Sequence, residues 1–299
     1  MQNNAFEKIY KKVPEEQKEL LKRFRLTHPC KYLTIDGSIW EYISCGQGKE
    51  TLVLLPGGVR FGETWFKLIT ALENEYQIIS PTYPALSTMA EYVNGVAEIL
   101  ESEETPRAHI LGTSFGGWVA QCFIRRYPER AMTMILSNTS GESPYSERFI
   151  KFVSIYASLY PVQLIRVGLL RNYLKIISIP DSEREFWKAY LKEKFYLYTT
   201  KDDILSQYKC TLDFTSSYKF SKDDLANWSG RVLIMESDDG PGFNAPVREA
   251  LKNLYPLAKV HTFHNAGHTP GYTNPREYSS VLREFLRESW KVWESSTLR

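Results

Sequence analysis

The sequence predicts an α/β fold built on a mostly parallel, eight-stranded sheet flanked by helices, and three observations predict it. Strand-like apolar runs alternate with helical stretches over both ends of the chain. The pentapeptide Gly112-Thr113-Ser114-Phe115-Gly116 sits between one such run, Ala108-His109-Ile110-Leu111, and a helical one that begins at Gly117. The alternation is interrupted once, over residues 143–228, by helix-like sequence in which 17 of 86 positions are Phe, Tyr or Trp.

Residues 1–30 read as a charged helical extension. Leu20, Leu21 and Phe24 lie at helical spacing after Pro14-Glu15-Glu16, where proline suits a first turn. Two strand-like runs, 32–35 and 39–43, flank Asp36-Gly37, a hairpin signal. A strand at 51–55, a helix near 64–72, a strand at 77–80 and a helix near 88–100 follow, which implies a parallel sheet covered on both faces. The strand before Ser114, the helix after it and a strand at 132–136 continue the pattern. After the interruption come a strand at 232–235, a helix near 245–254, a strand at 259–263 and a last helix near 275–293. The expected division is a core of residues 31–142 and 229–299 with a helical cap inserted at 143–228.

With 299 residues, 43% hydrophobic and 24% charged, the chain has enough apolar sequence for a sizeable core. A net charge of +2, with acids and bases interspersed, offers no field for nucleic acid or an anionic membrane. Cys30, Cys45, Cys122 and Cys210 are far apart without a C-x-x-C pair, which argues against a zinc or disulfide framework. The opening residues lack a signal-peptide core and no apolar run is long enough to span a membrane, so the expectation is a cytoplasmic protein.

The chemistry expected at Ser114 follows from its turn, which lifts a hydroxyl from a strand end toward a base. His268, in Asn265-Ala266-Gly267-His268 just past the last strand, is the candidate base. Leu55-Pro56-Gly57-Gly58-Val59 ends the third strand, where glycines let the backbone approach a substrate closely. The amides of Gly58 and Phe115 are the candidate oxyanion donors. His261, His264 and His268 fall close together but strand alternation scatters them, so no metal and no cofactor are expected. His28 and His109 read as structural, and Trp118 as helix packing. Tyr156, Tyr160, Phe186, Trp187, Tyr190, Phe195 and Tyr196 suggest an apolar ceiling over Ser114 and hence a hydrophobic small-molecule substrate.

On the elbow, the Gly-rich turn and the late Gly-His, the chain resembles the α/β-hydrolase fold superfamily over about residues 31–296. Phe24-Arg25-Leu26-Thr27-His28-Pro29-Cys30-Lys31 and Gly112 to Gly117 also resemble maspardin-type members. Two features depart from the superfamily pattern. Pro56 stands where histidine is common, and the acid is ambiguous. The usual Gly-x-x-Asp after the seventh main strand reads here Ser237-Asp238-Asp239-Gly240. If Ser237 replaces the glycine, the acid position falls on Gly240; if the loop is one residue shorter, it falls on Asp239. Asp239 is the first choice, Asp238 the second and Glu142 a distant third, with an acid elsewhere or none also open. Asp-Asp-Gly-Pro also makes a good turn without catalysis.

The resemblance implies a serine hydrolase that cleaves a carboxylic ester or related acyl bond. Esterases, lactonases, C–C bond hydrolases and cofactor-free perhydrolases share these parts. Members that use a carboxylate nucleophile are disfavoured by Ser114. The alternative is a non-catalytic, maspardin-like binding protein.

Overall fold

The computed structural model describes residues 2–297, with side chains described for 5–289. Its strands are β1 (Cys30–Ile35), β2 (Ser38–Gly46), β3 (Thr51–Leu55), β4 (Gln77–Thr82), β5 (Ala108–Thr113), β6 (Ala131–Ser137), β7 (Arg231–Ser237) and β8 (Lys259–Phe263). They form one sheet in the order β1-β2-β4-β3-β5-β6-β7-β8. β1 and β2 pair antiparallel, as do β2 and β4, and the remaining pairs are parallel. The β1-β2 hairpin turns at Asp36 and Gly37, both with positive φ (47° and 78°), as a two-residue hairpin turn requires.

The central strands are apolar because both faces are covered: all five residues of β3 and the first five of β5 are buried. Helices α1 (Gln2–Ile9), α2 (Glu15–Thr27), α3 (Phe66–Leu72), α4 (Met89–Ser102) and α5 (Phe115–Arg126) precede β6. Thr88 starts α4 with a capping box closed by Glu91, which satisfies amide donors at that end. Between β6 and β7 lie α6 (Glu147–Leu159), α7 (Val162–Ile176), α8 (Arg184–Glu193) and α9 (Lys201–Ser217), with no strand among them. The chain then adds α10 (Ala245–Leu254), the short α11 (Pro270–Thr273) and α12 (Pro275–Thr297).

The N-terminal extension differs from the single helix its sequence predicts. It holds two helices, and Leu20, placed by spacing on the inner face, is exposed while Leu21 and Phe24 are buried. The inner stripe is narrower than the spacing alone implied. Phe6, Tyr10 and Val13 enter the same core as α3 and α8. The Tyr10 hydroxyl donates to Glu193 Oε2 (2.7 Å), and Arg25 donates to both Glu63 Oε1 and Glu193 Oε2 (2.8 Å each). Burial opposes ionisation of Glu63, but Lys194 and Arg25 outweigh it and hold the carboxyl down at about 2. Each charge in this junction has an opposite partner, the condition under which burying it is tolerated.

The seven aromatics expected to form a ceiling divide between two places, with Tyr196 packed against the first of them. Phe186, Trp187, Tyr190 and Phe195 are buried in the core shared with α1, α2 and α3, with Phe186 meeting Phe66 at 5.6 Å and Tyr10 at 6.4 Å between ring centroids. Tyr156 and Tyr160 stack on each other at 4.0 Å and are exposed. These residues do not form the common ceiling expected of them, because the apolar side chains of α8 pack against the N-terminal helices and α3.

Candidate active site

The elbow is a site of unusual backbone geometry. Ser114 has φ 50° and ψ −119°, a conformation that costs energy for a side-chain-bearing residue and persists only when its surroundings hold it. Three bonds hold it. The Ser114 amide donates to Ser137 O (3.0 Å), while Thr139 Oγ1 (2.8 Å) and the Gly117 amide (2.9 Å) donate to Ser114 O. Ser114 is half-buried at the start of α5, so the helix N-terminus and its Phe115 amide lie beside the hydroxyl. The turn after β3 runs alongside: a Cβ built on Gly57 would lie 3.4 Å from Ser114 Cβ. A Cβ on Gly58 would overlap the Tyr173 hydroxyl and the Gln207 side-chain amide, so side chains of α7 and α9 close over the turn.

His268 arrives from the loop after β8. Gly267 takes φ 62° beneath the Ser178 side chain, which would occupy the space of any Cβ there. Asn138, directly after β6, gathers the surrounding loops. Its Nδ2 lies 3.1 Å from Gly267 O, 2.9 Å from His268 O and 3.1 Å from Ser237 Oγ, and its Oδ1 accepts from the Ser237 amide at 2.8 Å. Since Ser137 and Asn138 are consecutive, one strand end anchors the backbones of both Ser114 and His268. The Phe243 ring stacks on the imidazole at 5.3 Å and 7°.

The imidazole is buried and its Nδ1 has no hydrogen-bond partner among the described residues. Burial alone pushes its pKa down to about 4. Neither aspartate supplies the missing bond. Asp239, expected to orient the ring directly, is exposed, and its Oδ1 accepts from the Gly267 amide at 2.8 Å. Asp238 engages His264 Nδ1 (2.6 Å) and the Asn265 amide (3.1 Å) at the surface. Glu142 is exposed, and its carbonyl accepts from Ser140 Oγ at 2.5 Å. Gly240, next after Asp239 in this loop, is buried, and a Cβ there would lie 3.4 Å from Gly267 O and 3.7 Å from Ser237 Cβ, both ordinary contacts. The turn chemistry of Asp-Asp-Gly-Pro therefore directs both carboxylates to the loop backbone and the surface.

The remaining candidates fall as packing chemistry dictates. His261 pairs with Glu277 at 2.9 Å and His264 with Asp238, so the three late histidines do not converge. His109 is buried, its Nδ1 at 2.9 Å from Thr133 Oγ1. Trp118 stacks on Phe214 at 4.6 Å. A cavity of about 810 Å³ opens between α2, the β1-β2 hairpin and the inserted helices, lined by Arg25, Glu63, Tyr83 and Lys194 among others, and includes neither Ser114 nor His268. Sequence reasoning missed Asn138, Tyr173, Gln207 and Phe243. An asparagine directly after a strand end was the one available signal, since Asn tolerates the positive φ (39°) that it adopts.

Comparison with known proteins places these features in a family. The chain is 22% identical over 277 residues to maspardin of Danio rerio, covering 89% of this chain and 85% of that one. It is 24% identical over 275 residues to a 2-hydroxy-6-oxononadienedioate/2-hydroxy-6-oxononatrienedioate hydrolase of Paraburkholderia phymatum, covering 82% and 90%. Among solved structures, a thermophilic esterase from Thermogutta terrifontis superposes with a TM-score of 0.71 at 19% identity, covering 87% of this chain and 98% of the esterase. A model of the alpha/beta hydrolase family matches residues 52–281, a span that holds the elbow, the inserted helices and the histidine loop, and the chain belongs to that family.

Proposed function

We propose that the protein is a serine hydrolase that cleaves a carboxylic ester or related acyl bond of a hydrophobic small molecule. The observation that carries this reading is the strained Ser114, held beside a helix N-terminus and a glycine turn. Ser114 Oγ attacks the carbonyl carbon while His268 takes its proton, and the amides of Gly58 and Phe115 donate to the developing oxyanion. The imidazolium then protonates the leaving group. Water, activated by the same base, returns the acyl-enzyme to free serine and releases the acid. Asp239 orients His268 through the Gly267 amide. The esterase and the 2-hydroxy-6-oxononadienedioate/2-hydroxy-6-oxononatrienedioate hydrolase among the similar proteins support hydrolysis as the reaction class.

A second reading, a binding protein of the maspardin kind, is favoured by one observation, the unpartnered Nδ1 of a buried base. Fluorophosphonate labelling separates the two. In the hydrolase reading, mass spectrometry finds the adduct on Ser114, and Ser114→Ala abolishes both labelling and turnover of p-nitrophenyl esters. Wild type and variant hydrolysing equally slowly, with no adduct on a folded protein, would establish the binding reading instead.

A further inference from the structure

At the base of the N-terminal extension, far in sequence from the serine and its loops, three side chains of different donor chemistry converge. His28 caps the C-terminus of α2, Cys45 lies on β2, and Glu73 caps the C-terminus of α3. One ligand atom from each, an imidazole nitrogen, a thiol sulfur and a carboxylate oxygen, lies within 4.8 Å of the other two. Spacings of 17 and 28 residues between them match no familiar motif, which is why the sequence alone does not show the cluster.

The imidazole is oriented as a ligand. Its Nδ1 faces Phe24 O at 3.1 Å and Thr27 Oγ1 at 2.8 Å, and its ring stacks on Phe24 at 4.2 Å and 12°. That leaves Nε2 turned toward Glu73 Oε2 at 2.5 Å. A backbone carbonyl behind Nδ1 is the arrangement that fixes tautomer and direction in metal-bound histidines. Glu73 pairs with no lysine or arginine among the described residues, so its charge meets only His28 and the thiol. Its backbone is also fixed, accepting from the Gln47 amide at 2.9 Å.

We propose that His28, Cys45 and Glu73 form a binding site for one divalent cation of zinc-like preference. One sulfur, one nitrogen and one oxygen donor suit tetrahedral Zn²⁺, with water in the fourth position. The ligands come from three elements, so the cation ties the N-terminal helices to the sheet, and its binding is coupled to the stability of that junction. The site is independent of the chemistry at Ser114.

Cobalt tests it in the full-length protein. Addition of one equivalent of Co²⁺ to reduced, metal-stripped protein is expected to produce a thiolate-to-cobalt charge-transfer band in the near ultraviolet, abolished by Zn²⁺ competition and absent in Cys45→Ser. Glu73→Gln, which keeps the side-chain shape, is expected to retain the fold and weaken the band. In parallel, Zn²⁺ at ten times its Kd should slow iodoacetamide alkylation of Cys45 roughly tenfold. Cys30, on the neighbouring strand and outside the cluster, should alkylate at an unchanged rate. Absence of the band in folded wild type, a band that survives both Cys45→Ser and His28→Gln, or equal protection of Cys30 and Cys45 would each overturn the site.

Discussion

Gly240→Asp is expected to raise ester turnover by about two to four orders of magnitude, the reverse of the loss seen when a triad carboxylate is neutralised. The expectation rests on three facts. His268 Nδ1 is buried without a partner among the described residues. Gly240 is buried beside Gly267, the residue that precedes the histidine. A Cβ at Gly240 meets only ordinary contacts, and its φ is not positive, so a side chain is accommodated without backbone strain. A carboxylate introduced there supplies the charge that favours the imidazolium and fixes the tautomer. The acid limb of the pH–rate profile should move upward together with the rate, because a nearby negative charge raises the pKa of the base. Asp239→Asn in the wild type is expected to lower turnover far less than a triad acid would, since its contact is to the Gly267 amide. The measurement is kcat/KM against pH for both variants. A folded Gly240→Asp protein with unchanged rate and unchanged acid limb would show that Nδ1 does not face that position.

The second large effect is on stability. The His268 pKa is pushed from 6.5 to about 4 in the folded protein by burial. Between these values the unfolded chain binds a proton that the folded chain refuses, so stability rises with pH through that window. The contribution is fully present above about pH 6.5 and is lost as pH falls toward 4, amounting to about 3 kcal/mol. Glu63, held at about 2, acts with the same sign but in a lower window, below its unfolded value of 4.5. Urea denaturation at pH 7 and pH 4.5 reads the difference. Wild type should lose most of that amount, and His268→Gln, which cannot titrate, should lose far less. Equal losses in the two proteins would mean that the imidazole is solvated in solution. The same low pKa makes His268 a weak base, and so makes the wild-type acid limb lie near pH 4.

Both effects arise at a loop that the residues themselves left open. Asp239 and Gly240 stood as alternatives for the acid position because a one-residue difference in loop length exchanges them, and loop length relative to a strand end is not encoded in local propensity. What decides it is a set of distant contacts: Asn138 binding the Ser237 amide, Gly267 capped over by Ser178, and Asp239 drawn to the Gly267 amide. Tyr173 and Gln207 were hidden for a related reason. They reach the turn at Gly58 only because α7 and α9, distant in sequence, are folded over it. Tyr156 and Tyr160, by contrast, looked equally suited and remain exposed.

The sequence by itself determined the alternating strands and helices, the hairpin at Asp36-Gly37 and the strand-turn-helix at Ser114, because each depends on periodicity or turn chemistry within a few residues. Only the tertiary structure decided that α1 exists and enters the core, that Leu20 faces outward, and that His268 is buried with no carboxylate at Nδ1 among the described residues. It alone brought His28, Cys45 and Glu73 together. Burial and charge pairing are sums over neighbours from separate elements, and those neighbours exist only once the chain has folded.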